Sequence, residues 1–268
     1  MNKSIKKIII ITGSIAVTLY SLLCFYLYAK QESILFRQTK IPAYYSFGFP
    51  GNVQEKFITA TDGTPLSTLL FKADSSKGVI LYLHGNGGTL ASWGSLAKTY
   101  TARHYDVLMM DYRGYGKSGG EITNEAQLYE DVQRVYNELK KDYPEGKITV
   151  LGYSMGTGFA TWLAAHNHPA RLMLQAPYYN MSDLMTEHFP IVPTFILKYK
   201  LTTNYWLPKV TCPIFIFHGD VDRVVNCRAS VRLKELLKTG DEFIMLHGQG
   251  HNGITENEEY LSALGRVF

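Results

Sequence analysis

Three residue types in one order could do chemistry in this 268-residue chain: a serine between glycines, an aspartate after a later apolar run, and a histidine in a glycine-rich loop near the C-terminus. Gly152-Tyr153-Ser154-Met155-Gly156 follows the apolar run Lys147–Leu151 and leads into a helix-like stretch, Met155–Ala165. A strand, a sharp turn and a helix hold a serine hydroxyl out at a sheet edge, beside a helix N-terminus where developing negative charge is favoured. The turn predicts a strained backbone at Ser154 and an approach of strand to helix so close that only glycine fits two residues to either side. Alone, the motif is ambiguous, because small residues also cluster at such turns for packing.

A serine hydroxyl is a weak nucleophile and needs a base, itself oriented by a carboxylate, with each group carried on a different loop. The run Pro213–Phe217 is followed by His218-Gly219-Asp220-Val221-Asp222, so Asp220 and Asp222 both qualify as the carboxylate. The last apolar run is followed by His247-Gly248-Gln249-Gly250-His251. Of its two histidines, His251 lies in a glycine-flanked loop that can swing over the nucleophile, whereas His247 is still at the strand's end. Acyl transfer also needs donors for the oxyanion of a tetrahedral intermediate. The backbone N–H groups of Met155, just after the serine, and of Asn86, in the loop His84-Gly85-Asn86-Gly87-Gly88, fill that requirement. His84 reads as a structural hydrogen-bonding residue. This chemistry requires no cofactor and no metal.

The elements that must position these groups are legible as apolar runs. Lys56–Ala60 and Leu66–Phe71 read as an antiparallel pair around Thr61-Asp62-Gly63-Thr64. Gly78–Leu83, Asp106–Met110, Lys147–Leu151, Arg171–Gln175, Pro213–Phe217 and Glu242–Leu246 read as strands. They alternate with helix-like segments near Ser92–Ala102, Asn124–Lys141, Met155–Ala165, Ala229–Lys238 and Glu256–Val267. Strands apolar throughout belong in a parallel sheet covered on both faces, whose ligand site lies at the strands' carboxyl ends. The expected fold class is therefore α/β, with about eight strands in a mostly parallel central sheet.

The first thirty residues are of another kind. Ile8 to Ala29 carries no charge, and as a helix it is long enough for a bilayer core of about 30 Å. It is too long for the apolar part of a cleaved signal peptide, and no A-x-A-like site ends it. Lys3, Lys6 and Lys7 precede it, which predicts a cytoplasmic N-terminus and a domain on the non-cytoplasmic side. The expected organisation is a cytoplasmic tip and transmembrane anchor over 1–30, a tether over 31–50, and one catalytic domain over 51–268 with a short lid at about 178–212.

Composition narrows the partners. With 27 Lys+Arg against 23 Asp+Glu, the net charge of +4 is spread thinly, without the clustered basic face that nucleic acid requires. Cys24 lies in the apolar run, and Cys212 and Cys227 are expected to be free thiols, being at opposite ends of one strand. Gly116-Lys117-Ser118 ends like a phosphate-binding loop, but Asp111 stands where the first glycine must be. His166-Asn167-His168 lacks companion carboxylates or thiolates for a metal.

Four segments together resemble the α/β-hydrolase superfamily: His84–Gly88, Asp111-Tyr112-Arg113-Gly114-Tyr115-Gly116-Lys117-Ser118, Gly152–Gly156, and His218–Val225 with His251. The resemblance covers about Glu55 to Phe268 and is nearest to a membrane-anchored, small-lid branch of lysophospholipase-like and depalmitoylase-like enzymes. It implies a Ser154, His251, Asp222 triad, since that family carries its acid at the last position of His-Gly-x-x-Asp, and it implies a scaffold role for Arg113. Val225 stands where the family often has proline. Phe189, Ile191, Val192, Phe195, Ile196, Leu197, Tyr199, Tyr205 and Trp206 in the lid either line an acyl channel, rest on a membrane, or simply pack on the sheet. The expected substrate is a small-molecule or lipid acyl ester or thioester. A peptidase or amidase on the same triad, with Asp183 or Glu187 meeting the amine, is the enzymatic alternative, and a tethered binding protein the non-enzymatic one.

Overall fold

The computed structural model describes residues 2–268. Helix α1 (Lys3–Ala29) and the short α2 (Gln31–Leu35) precede a hairpin of β1 (Val53–Thr59) and β2 (Pro65–Phe71). Then come β3 (Gly78–Leu83), α3 (Leu90–Trp93), α4 (Ala97–Thr101), β4 (Tyr105–Met110), α5 (Glu125–Leu139), β5 (Ile148–Tyr153), α6 (Gly156–His166) and β6 (Arg171–Gln175). The lid carries α7 (Met181–His188) and α8 (Thr203–Trp206), and β7 (Ile214–Gly219), α9 (Arg228–Lys234), β8 (Glu242–Leu246) and α10 (Glu258–Val267) complete the chain.

The eight strands form one sheet in the order β1-β2-β4-β3-β5-β6-β7-β8. β2 runs antiparallel to both neighbours and every pair from β4 onward is parallel, so the expected mostly parallel sheet is the observed one. The uninterrupted apolar runs are explained by two cores. Val79, Leu81 and Leu83 of β3 join one with α5 and α6, while Ile80 and Tyr82 join the other with α4 and α10. A strand buried on both faces has no polar side to alternate with.

α5 shows how the sequence sets one wall. Asn124 caps it by accepting from the Gln127 N–H, and Leu128, Val132, Val135, Tyr136 and Leu139 recur at helical spacing on its buried face. Asp131 shares that face, where it takes a two-pronged bond from Arg113 at 2.6 and 2.7 Å, and Arg113 also reaches Asp62 at 2.9 Å. The scaffold role expected of Arg113 fits this geometry. Arg113→Met strands a buried carboxylate and is expected to cost about 3–5 kcal/mol in urea unfolding. Arg113→Met with Asp131→Leu is expected to recover most of that loss, and a double variant no more stable than the single one would contradict the account.

α1 is the one described helix long and apolar enough to cross a membrane, with no buried residue. The segment 31–50, expected as a tether, lies against the domain instead. Phe36 is buried, Phe47 and Phe49 pack on the α4 side of the sheet, and Ile41 and Gly116 share a backbone bond. Its aromatic residues supply the reason, since each removes apolar surface from water by docking.

Candidate active site

Ser154 sits at the carboxyl end of β5, where its φ of 49° marks the strained turn that the spacing predicts. Two glycines permit that turn. A Cβ on Gly156 would lie 2.0 Å from the Leu83 carbonyl oxygen, and one on Gly152 would lie 2.5 Å from the Gly156 oxygen. The turn is pinned by Ser154 N–H donating to the Gln175 carbonyl and by the Thr157 N–H and hydroxyl donating to the Ser154 carbonyl.

Asp222 and His251 are brought to the same edge by the loops after β7 and β8. His251 Nε2 lies 3.0 Å from Ser154 Oγ, and His251 Nδ1 lies 2.7 Å from Asp222 Oδ2. The carboxylate fixes the tautomer: Nδ1 carries the proton and donates, leaving the Nε2 lone pair to accept from the Ser154 hydroxyl. Asp222 is itself fully bonded. Its Oδ1 accepts from the Val224 and Val225 N–H groups at 2.8 and 2.9 Å, and His218 Nε2 lies 3.3 Å from Oδ2. Burial alone would raise this carboxyl, but hydrogen bonds from His218, His251 and the Val225 N–H, with the attraction of His251, hold it well below the usual carboxylate range.

The rivals lie elsewhere. Asp220 is exposed, and His247 is an exposed partner of Glu259 at 2.9 Å. His84 is buried, bonded to the Gly85 carbonyl, and stacked near Trp93 and Tyr112, as its structural reading requires. Neither the Met155 nor the Asn86 N–H finds an acceptor among the described residues, so both donors are free where the loop after β3 meets the turn at Ser154.

Several supports are not evident from the motifs. His218 donates to the Val225 carbonyl and accepts from Ser230, which locks the Asp222 loop; its place four residues before Asp222 is the signal that could have found it. Tyr153, next to the serine, donates to the His251 carbonyl. The Asn86 side chain accepts from the Arg37 N–H and donates to the Leu35 carbonyl, tying the chain after α2 to the loop of the second donor. Nothing local in the sequence marks that long-range clamp.

One cavity adjoins the site, and another lies at the anchor. A mixed one of about 410 Å³ is lined by Asn86, Trp93, Tyr153, Asn252 and Glu256. An almost wholly apolar one of about 240 Å³ lies between α1, α2 and the lid. The lid's aromatic and aliphatic residues divide accordingly: Ile196, Leu197 and Tyr199 are buried, whereas Phe189, Ile191, Phe195 and Tyr205 face outward. Cys212 and Cys227 are free thiols.

Comparison with known proteins bears on the fold. A family model described as serine aminopeptidase, S33, matches residues 74–205, a span that includes Ser154 and stops before Asp222 and His251. The chain is 29% identical over 200 residues to the α/β hydrolase domain-containing protein aho-3 of Caenorhabditis elegans, covering 74% of this chain and 59% of that protein. It is 30% identical over 190 residues to the lysophosphatidylserine lipase ABHD12 of Macaca fascicularis, covering 63% of this chain and 48% of that protein. The chain thus spans about half the length of these two relatives. Among solved structures, the Pyrococcus furiosus esterase Pf2001 superposes with a TM-score of 0.68 at 19% identity, covering 85% of this chain and 96% of that one. The sheet order and these similarities show that the chain has the α/β-hydrolase fold.

Proposed function

We propose that the chain is a membrane-anchored serine hydrolase that cleaves carboxylic esters or thioesters of acyl groups. The observation that carries this reading is the continuous relay from Asp222 through His251 to Ser154, with steps of 2.7 and 3.0 Å at the carboxyl edge of the sheet. Ser154 Oγ attacks the acyl carbon as its proton passes to His251 Nε2, and the oxyanion that forms accepts from the Met155 and Asn86 N–H groups. His251 returns the proton to the leaving alcohol or thiol. Water, deprotonated by His251, then releases the acid from the acyl-Ser154 intermediate. Asp222 keeps the imidazole in the required tautomer and stabilises its cationic form.

A peptidase reading has one observation in its favour, the aminopeptidase description of the matching family model. Of the two lid carboxylates that could meet an N-terminal amine, Asp183 is already taken by Arg232 at 2.6 Å, whereas Glu187 is exposed. The lipase and esterase among the similar proteins favour the ester reading. The test is a panel of p-nitrophenyl esters and thioesters of graded chain length beside aminoacyl anilides, using the full chain in detergent or vesicles. Esters longer than acetate are expected to turn over at least tenfold faster than any anilide, and faster anilide cleavage would reverse the assignment. A serine-directed phosphonate is expected to label the chain, which excludes a purely binding protein.

Residues 8–29 form the anchor in this reading, with Lys3, Lys6 and Lys7 on the cytoplasmic side and the catalytic domain outside. Protease added to intact cells is expected to remove the domain, and cleavage only after lysis would place it inside.

A further inference from the structure

We infer that the anchor helix forms one wall of an acyl-binding site, and that the lid tip lies within the bilayer so that this site opens at acyl-chain depth. The inference rests on the anchored ester-hydrolase reading and deepens it.

Depth follows from one hydrogen bond. The Tyr20 hydroxyl of α1 donates to the Ile191 carbonyl of the lid at 2.7 Å. Tyr20 lies nine residues before Ala29, about 14 Å along the axis at about 1.5 Å per residue. Helical side chains lean towards the N-terminus, so the lid reaches at least that level. The helix cannot keep the lid dry by leaving the membrane at Tyr20. Only Ile8–Leu19 would then remain, spanning about 18 Å, against a hydrocarbon core of about 30 Å. The polar boundary is instead at Lys30, Glu32 and Lys198, where Lys198 bonds Glu32 at 3.1 Å and lies over the Tyr28 ring.

The lid tip has the composition that this depth demands. Phe189 to Leu197 contains no charge, and Ile191 and Phe195 are 70% and 85% exposed. In water that exposure leaves apolar surface unburied, whereas beside α1 it continues a lipid-facing surface.

Behind the tip lies the apolar cavity of about 240 Å³, walled by Leu27 of α1, Leu35, and Leu184, His188 and Phe189 of the lid. Two of its walls are tied to the catalytic loops. The Leu35 carbonyl accepts from Asn86, and His188 Nε2 bonds the Val224 carbonyl beside Asp222. Through Leu35 and His188 the cavity is linked to the loops that carry the second oxyanion donor and the triad acid. Its lining offers no partner to a headgroup, so its occupant is the hydrocarbon chain of an ester lipid drawn from the same leaflet.

Two measurements on the full chain in phosphatidylcholine vesicles test this. In the first, Leu27→Trp and, separately, Leu184→Trp fill the cavity from the anchor and from the lid. Each is expected to lower the ratio of kcat/KM for a membrane-resident monooleoyl ester over that for p-nitrophenyl acetate at least tenfold. A ratio that stays put, or esters that fall together, overturns the site. A parent that hydrolyses neither ester removes the hydrolase reading, and the acyl site with it. In the second, Phe195→Trp is read against the parent in vesicles brominated along the acyl chain. The added fluorescence is expected to be quenched at least twofold, and fluorescence equal to that in unbrominated vesicles overturns the lid's depth whatever the turnover shows.

Discussion

Ser154→Ala is expected to lower kcat/KM on the best ester of the panel by about a millionfold, with loss of phosphonate labelling. The magnitude follows from the relay's acting as one unit. Without Oγ there is no nucleophile, and the turnover that remains comes from binding and from the two oxyanion donors acting on water. The loss is expected to be chemical and not structural. Alanine keeps the Cβ, so the strain at φ 49° is unchanged, and the bonds that pin this turn run through the backbone of residue 154. The urea midpoint is therefore expected to stay near that of the parent. Adding His251→Ala to Ser154→Ala is expected to cost little more, since both remove the same step. An alanine variant within tenfold of the parent would show that another residue is the nucleophile.

How far this arrangement was legible from sequence depended on whether the determining contacts were local. The runs Gly78–Leu83 and Arg171–Gln175 coincide with β3 and β6, because strands buried on both faces must be apolar throughout, and Glu242–Leu246 coincides with the half-buried edge strand β8. The turn at Ser154 was legible from its glycines, although only Gly152 answers a demand made within five residues, by Gly156, while Gly156 makes room for the distant Leu83 carbonyl. Choosing Asp222 over Asp220 needed the family resemblance, since which carboxylate meets His251 depends on a loop whose geometry His218 sets from the strand end. The segment after α1 was misjudged as a tether because its hold on the domain is distant in sequence. The Gln31 side chain donates to the Ile196 carbonyl and accepts from the Lys198 N–H, and Leu35 and Arg37 meet Asn86. α7 and α8 of the lid are short, and their apolar residues serve the core, a cavity and an outward face at once, so no single periodicity marks them.

Asp222→Asn is expected to lower kcat about 10,000-fold while leaving the fold intact, because it reverses one proton and little else. The amide oxygen can still accept from the Val224 and Val225 N–H groups, as Oδ1 does now at 2.8 and 2.9 Å. That turns the amide NH₂ towards His251 Nδ1, which must then accept. The imidazole proton moves to Nε2 and faces Ser154 Oγ, so the base no longer presents a lone pair to the nucleophile. Asp220→Asn is the control. Asp220 is exposed, and its replacement is expected to change kcat less than threefold. A second signature comes from acid. The Asp222 carboxyl has a lower pKa folded than unfolded, so below the ordinary carboxylate value of about 3.9 the unfolded chain takes up its proton more readily. The stability it contributes is complete at neutral pH and is lost as the pH falls through the folded pKa. Asp222→Asn cannot titrate, so the fall in urea midpoint on acidification is expected to be shallower than in the parent. Equal acid slopes would mean that the carboxylate is not held ionised by its four partners. A kcat that survives would mean that His251 takes its orientation from another group.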